Sequence, residues 1–410
     1  MQIKHYFEMK EIFSAKIGAA TACNYVTVEA ESAVGLKCRL LFTTTSGVQK
    51  TEVFPIRRGK NTYCGFIAAL EKGEEIAVIT EIVLFNLENA KGLVSLKKIA
   101  FGTREYPDTK REIFNEYLRC GTDPRFGNSL NFLTPEKYTA KIVGGELKFL
   151  DKKEGRGGNL LNRYEKSRSF AQNYYGALNP PYSPSLLFGG LWKYNPVQSG
   201  DSFGNNAKLL DFYADDKKIR FKVKPLDRAK NNEPCDSVME TEYSVSGKLL
   251  KMHCEFFDYS MFDHRWGRLR AQELPSLYVT PLLGRFLYVK DKTLTVCDDL
   301  GYWAEMPYKS EQHFIAAGNW SAWVNAEGFG VGLYSPHTKH HYAGRLVLPE
   351  DDLTRDDVKS TSYTAAIGYF DLKNLETIVY DCYLTIGHFT EIRKTFDELN
   401  RNLLRGREKA

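Results

Sequence analysis

The chain has 410 residues, and 56 Lys and Arg against 51 Asp and Glu give it a formal net charge of +5. At roughly 150 residues per domain that length suggests two or three domains, and such a chain builds a core without disulfide or metal staples. Hydrophobic content of 43% with 26% charged residues excludes disorder, the small interspersed positive balance excludes a nucleic-acid partner, and no apolar run approaches the ~18 residues of a membrane span. Charges at Lys4, Glu8, Lys10 and Glu11 break any signal-peptide core, so a cytoplasmic location is expected. The eight cysteines form no C-x-x-C pair and read as small buried hydrophobes.

From residue 1 to about 100, short β-branched and aromatic segments alternate with turn signals. Examples are 24–29, 37–43 and 75–85, broken at Ser46-Gly47 and Lys72-Gly73, with 93–101 as one more strand. This spacing predicts an N-terminal β-sandwich, jelly-roll-like, over 1–105. Between Pro107 and Pro135, Asp108 as N-cap and near-helical apolar spacing up to Cys120, before Gly121, predict a short helix in a connector over 106–135. Strands resume over 136–388, with hairpin turns at Val143-Gly-Gly-Glu146 and Ser246-Gly-Lys248. Phe389, Ile392, Phe396, Leu399 and Leu403 then define a C-terminal helix over 389–410. The expected class is all-β, with a large antiparallel sandwich as its second body.

No P-loop, dinucleotide, nucleophile-elbow or zincin motif occurs, so neither a cofactor nor a metal is expected. Chemistry is left to dense polar and aromatic clusters. In Arg163–Tyr175, strand alternation would set Arg168, Phe170 and Gln172 on one face, a guanidinium beside an amide, suited to carboxylates or sugar hydroxyls; a solvated face is the plain alternative. In Leu191–Asp201, Trp192, Tyr194, Asn195, Gln198 and Asp201 share a loop offering a stacking platform and hydrogen-bonding groups, or a merely ordered connection. In Phe262–Tyr278, Arg268, Arg270 and Gln272 share a face, while Glu273 points the other way unless Pro275 introduces a bulge. Glu273 there is either a base eased by arginines, an acid raised by burial, or half of a structural ion pair. His337, His340 and His341 lie on a proline-bearing stretch and read as sugar-contacting or proton-transferring groups, or as a solvated loop; a metal site is a further alternative that no acid or cysteine nearby in sequence completes. Trp303, Glu305, Trp320 and Trp323 precede them as aromatic walls, a further acid, or core.

The runs Tyr194–Asp201, Arg270–Tyr278 and Trp320–Pro336 together resemble a group of bacterial proteins of polysaccharide-using organisms. Their large domain is similar in pattern to the galactose-mutarotase-like supersandwich of aldose epimerases, several polysaccharide lyases and domains of glycoside hydrolases. The resemblance covers about 138–388 and implies a supersandwich with an oligosaccharide on its concave face. The leading expectation is a glycoside hydrolase. It would use Glu273 as acid/base with Asp201 as its partner, Arg270 and Arg168 on a polar sugar group, and Trp192 as the stacking wall. Two carboxylates would have to stand about 5–5.5 Å apart for retention or 6.5–9.5 Å for inversion. A uronate lyase is the second expectation, with His264 or Tyr278 as base and Asn195, Gln272 and Arg270 neutralising the carboxylate. A non-catalytic sugar-binding or assembly module is the third. Exposed sandwich faces leave room for a homo-oligomer.

Overall fold

The computed structural model describes residues 10–15, 19–86, 94–107, 110–151, 156–167, 169–177, 194–264, 269–297 and 312–407. Its strand pairings are all antiparallel. Between residues 10 and 102, the strands Lys10–Ala15, Ile76–Asn86, Leu36–Thr44 and Gln49–Ile56 form one sheet in that order, with Ala19–Cys23 also on Ile76–Asn86. Gly59–Phe66, Tyr25–Ser32 and Val94–Gly102 form a second sheet. Period-two alternation turns Leu36, Cys38, Leu40 and Phe42 inward, where they share a core with Val26, Val28, Phe54 and Ile82.

The connector helix expected within 106–135 is absent from the described residues. Arg111–Phe114 and Leu118–Thr122 are strands of a three-stranded sheet completed by Leu130–Pro135. The reversal lies at Asn115, whose Oδ1 accepts from the backbone N–H groups of Tyr117 (2.9 Å) and Leu118 (3.1 Å). That side-chain turn stops a helix, and alternation then buries Ile113, Leu118 and Cys120 with Leu130 and Leu133. Helical order there is limited to one 3-10 turn, Pro124–Phe126, capped by Asp123.

Two larger sheets make up most of the rest. The seven-stranded sheet runs Leu226–Asp227, Pro196–Val197, Ala171–Asn173, Ala271–Val279, Thr361–Tyr369, His340–Leu346, Gln312–Ile315. The nine-stranded sheet runs Lys208–Ala214, Lys218–Lys224, Ser237–Ser246, Leu249–Asp258, Thr377–His388, Phe329–Tyr334, Trp320–Val324, Arg285–Lys290, Thr293–Cys297. Their facing sides fuse into one core, in which Tyr174 meets Phe256 with ring centroids 4.2 Å apart and Trp323 Nε1 donates to Tyr363 O at 3.1 Å. Both predicted hairpins form, and the tight turn at 144–145 has Gly144 and Gly145 at φ 59° and 82°. The predicted C-terminal helix spans Phe389–Arg407. Ile392 and Phe396 seat it against Trp320 and Tyr334 on the outer side of the nine-stranded sheet, and a Cβ at Gly332 would come within 2.6 Å of Ile392. No helix among the described residues is long and apolar enough to cross a membrane.

The N-terminal sheets are fastened to the larger body by charge as well as by packing. Lys224 Nζ, on the nine-stranded sheet, lies 3.3 Å from Glu52 Oε1 and donates to Val53 O at 3.0 Å, with both side chains under 8% exposed. Glu52 Oε2 accepts from Ala69 N at 2.6 Å. Removing one member of such a pair strands a charge in a poor dielectric. Lys224→Met is expected to lower the unfolding free energy by about 3–5 kcal/mol in urea denaturation, whereas the surface pair Lys373–Glu376 should tolerate Lys373→Met within about 0.5 kcal/mol.

Candidate functional site

The site lies on the outer face of the seven-stranded sheet, the side turned away from the nine-stranded one. Alternation decides which residues reach it. Along Gln172–Tyr175, Gln172 and Tyr174 point into the core, where Tyr174 OH donates to Gln172 Oε1 (2.9 Å) and Gln172 Nε2 donates to Thr241 Oγ1 (2.7 Å). Asn173 and Tyr175 therefore point outward. Register places Glu273 beside Asn173 on one flank and Ile367 on the other. Beyond Glu273 the pairing shifts before resuming at Ser276, the bulge that Pro275 foreshadowed.

The Glu273 carboxylate is 6% exposed and collects three donors. Asn173 Nδ2 donates to Oε2 at 2.6 Å, while Tyr175 OH and Tyr363 OH donate to Oε1 at 3.0 and 2.5 Å. Asn173 is itself aimed by Asn195, whose Nδ2 donates to Asn173 Oδ1 and to Tyr174 O, both at 2.7 Å. Burial pushes the Glu273 carboxyl above its ordinary value, and the tyrosines, Asn173 and the Arg228 guanidinium pull it only part of the way back. Burial also opposes the Arg228 charge, but Glu165, Tyr278 and Tyr175 outweigh it and hold Arg228 firmly protonated. Arg228 Nη2 donates to Glu165 Oε1 at 3.0 Å and Nε to Ser167 Oγ at 3.1 Å. Tyr278 packs on Tyr363 with centroids 4.8 Å apart, and the Arg270 guanidinium lies 5.4 Å from the Tyr175 ring centre.

Further along the same face stands a pair of imidazoles. Ile315 pairs with His340, and continuing the register His341↔Ala366 sets His340 opposite Ile367, the residue that faces Glu273. Glu273, Ile367, His340 and Ile315 therefore form one cross-strand row. His313 Nε2 lies 2.8 Å from His340 Nδ1, and burial followed by the His340 charge holds the His313 pKa below its usual value.

Of the residues singled out in the sequence, Glu273, Asn195, Tyr278, Arg270 and His340 gather here, while His341 turns to the other side of the sheet. Gln198 does not: it joins the two sheets, accepting from Gln172 N and Thr241 Oγ1 at 3.1 and 2.8 Å. Gln272 closes backbone instead of binding a ligand, accepting from Tyr175 N at 2.8 Å and donating to Tyr175 O at 2.9 Å. Asp201 is no partner acid. Its Oδ1 accepts from Phe203 N and Asn205 N, both at 2.9 Å, and its Oδ2 from Asn205 Nδ2 and Asn232 N, both at 2.7 Å, so it clamps its own loop. His264 is sealed at 0% exposure, with Nε2 3.2 Å from Ser260 Oγ and its ring stacked on Tyr194 at 4.3 Å. Tyr194 OH donates to Asp258 Oδ2 at 2.9 Å in that same interior cluster. His337 is exposed and accepts from Asp381 N, on a strand of the other sheet, at 3.3 Å. Trp320 and Trp323 are core residues. Arg168, Trp192, Trp303 and Glu305 lie outside the described residues.

The sequence reading missed Asn173, Tyr175, Tyr363, Arg228 and His313. Asn173 and Tyr175 stood in a cluster already noted, and period two from Gln172 separates them from it; Tyr363, Arg228 and His313 reach the face only through register. A separate cavity of about 310 Å³ is lined in part by Lys110, Glu112, Thr122, Arg156, Arg163 and Asp356. Its cations are already tied to acids, Arg163 to Asp356 at 2.7 Å and Lys110 to Asp123 at 3.5 Å.

No protein-family model and no curated protein matches the chain. Solved structures align weakly. An Escherichia coli K12 protein provisionally described as an aldose 1-epimerase is 7% identical at TM-score 0.36, over 68% of this chain and 99% of its own. An alpha-mannosidase from Enterococcus faecalis is 9% identical at TM-score 0.36, over 93% of this chain and 42% of its own. The GH36 alpha-galactosidase of Geobacillus stearothermophilus is 10% identical at TM-score 0.34, over 68% and 40%. At these scores the likeness assigns neither a family nor an activity.

A raised carboxyl pKa is also a statement about stability. The folded chain holds the Glu273 proton more tightly than the unfolded chain, so this contribution is complete below the ordinary value of 4.5 and is lost as pH rises through the raised value. In Glu273→Gln the amide stands in for the neutral acid. Denaturant unfolding from pH 4 to pH 8 is expected to move the difference in stability steadily in the variant's favour; a difference independent of pH would contradict the raised pKa.

Proposed function

We propose that this chain is a carbohydrate-active enzyme that moves protons on a sugar, with Glu273 at one end of the reacting group and the His313–His340 pair at the other. The observation that carries this reading is the cross-strand row joining a buried carboxyl, its pKa held above the ordinary value by burial, to an imidazole on one sheet face. Two strand spacings of ~4.8 Å put their backbones about 10 Å apart, with Ile367 between them. Tyr175, Tyr363, Asn173 and Tyr278 surround the carboxyl with groups that both donate and accept, as sugar hydroxyls require. The sequence resemblance supports the same class of substrate.

Hydrolysis by paired carboxylates is less well supported, because Asp201 spends both oxygens inside its own loop. One acid and one base on opposite sides suit ring opening, epimerisation or isomerisation, in which a proton leaves one atom and another is delivered elsewhere. Elimination from a uronate is a second reading. In its protonated form Glu273, beside Asn173, can hydrogen-bond a sugar carboxylate while an imidazole takes the proton alpha to it and delivers it to the departing glycosidic oxygen as the C–O bond breaks and the C=C bond forms.

The test is a screen of reducing sugars and uronate-containing oligosaccharides with wild type and Glu273→Gln, read by product mass, anomer-resolved NMR and ultraviolet absorbance. Conversion without change of mass is expected, slowed about 10²–10⁴-fold in the variant. An unsaturated, ultraviolet-absorbing product would move the assignment to elimination. Products carrying one added water, or no turnover of any sugar, would overturn proton transfer as the activity.

A further inference from the structure

We infer that His313 and His340 act as one proton-sharing unit, in which His313 exchanges with solvent and relays protons through His340 to the sheet face. The geometry is that of an imidazole–imidazole hydrogen bond. The rings are 14° from parallel and their centroids 5.0 Å apart. Facing nitrogens are 2.8 Å apart, so the centroid separation exceeds the nitrogen separation by about two ring radii and the contact runs edge to edge in a common plane. One facing nitrogen must carry hydrogen and the other a lone pair. Diagonal placement on neighbouring strands holds the rings together, since His313 pairs with Tyr342 and His340 with Ile315.

Among the described residues, the titratable neighbours on the pair's own face are Tyr342, 5.6 Å from His313 between ring centres, and Tyr369, 5.3 Å from His340. His341, next along the strand, turns to the other side and meets Ser321 Oγ at 2.9 Å. No carboxylate among the described residues hydrogen-bonds either ring of the pair. His313 is exposed and His340 half-buried, so solvent meets the unit at His313.

The relay balances with no further reagent. Let His313 Nε2–H donate to His340 Nδ1, which leaves the hydrogen of His340 on Nε2. When His340 Nε2 gives its proton to a substrate oxygen, the His313 Nε2 proton crosses to His340 Nδ1, and buffer acid supplies one to His313 Nδ1. Both rings end neutral with their tautomers exchanged, one proton has passed from solvent to substrate, and the reverse sequence resets the unit. Two facing nitrogens cannot both hold hydrogen at 2.8 Å, so the unit accepts a first proton readily and resists a second.

Relay to a substrate rests on the proposed function; proton sharing does not, and the two are tested apart. Long-range ¹⁵N–¹H spectra of ring-labelled protein should show complementary tautomers at the facing nitrogens and proton uptake by the pair in two coupled steps. The second proton should bind only at lower pH than the first, and in His313→Ala the coupling should disappear. Two independent titrations in wild type would overturn the unit, as would a Zn²⁺ titration that fixes both facing nitrogens as metal ligands. With a substrate from the screen, His313→Ala is expected to lower kcat about tenfold or more, with KM little changed and recovery by added imidazole. Loss of kcat without such recovery would overturn the relay. A barren screen beside a coupled pair would overturn the proposed function and leave the unit standing.

Discussion

Glu273 is an ionisable group that the sheet takes out of water, and a carboxyl so placed must be either neutralised or surrounded by donors. The structure does some of each. Asn173 and two tyrosines saturate its oxygens, Arg228 supplies a nearby positive charge, and the remaining burial still favours the protonated form. These partners come from three separate stretches of the chain, so the carboxyl's environment exists only in the assembled sheet. Displacing Thr361–Tyr369 by one residue would turn Tyr363 toward the core and remove the shortest of the three hydrogen bonds.

Hydrogen bonds from Asn195 and Gln272 hold that arrangement in place. Asn195 holds the amide of Asn173 in the orientation that donates to the carboxyl, and its own Oδ1 has no hydrogen-bond partner among the described residues. Gln272 ties the backbone of Tyr175 from both sides, extending strand-like pairing two residues past the end of Ala171–Asn173. Glutamine serves here as a piece of backbone, which explains why polar residues rich in hydrogen-bonding capacity stand so close to the face without reaching it.

Much of the architecture was legible because β patterning and turn chemistry are local. The two-glycine turn at 144–145, the alternation of Leu36–Thr44 and the apolar stripe of Phe389–Arg407 each carry their own signal. The helix expected before Cys120 failed because one asparagine turn and burial on a period of two outweighed an approximate helical spacing. At the site, Glu273, Asn195, Tyr278 and Arg270 could be picked out from composition and position. Gln172, Gln198 and Asp201 misled, since a polar side chain serving a core or a loop looks the same in sequence as one serving a ligand. His313 left no trace at all: its partner is 27 positions away, and only the strand register joins them.

The ammonium of Lys224 has a consequence for how the chain can be handled. Its counter-ion sits on a strand more than 170 positions earlier, in a different pair of sheets. Cutting the polypeptide near residue 105 to express either portion alone would separate this ion pair and open the apolar contacts beside it, among them Ala68, Leu210 and Phe257, to water. Each fragment would then present to solvent a surface that the intact molecule keeps closed, so poor yield of such halves would reflect an exposed seam rather than a failure of either portion's own sheets.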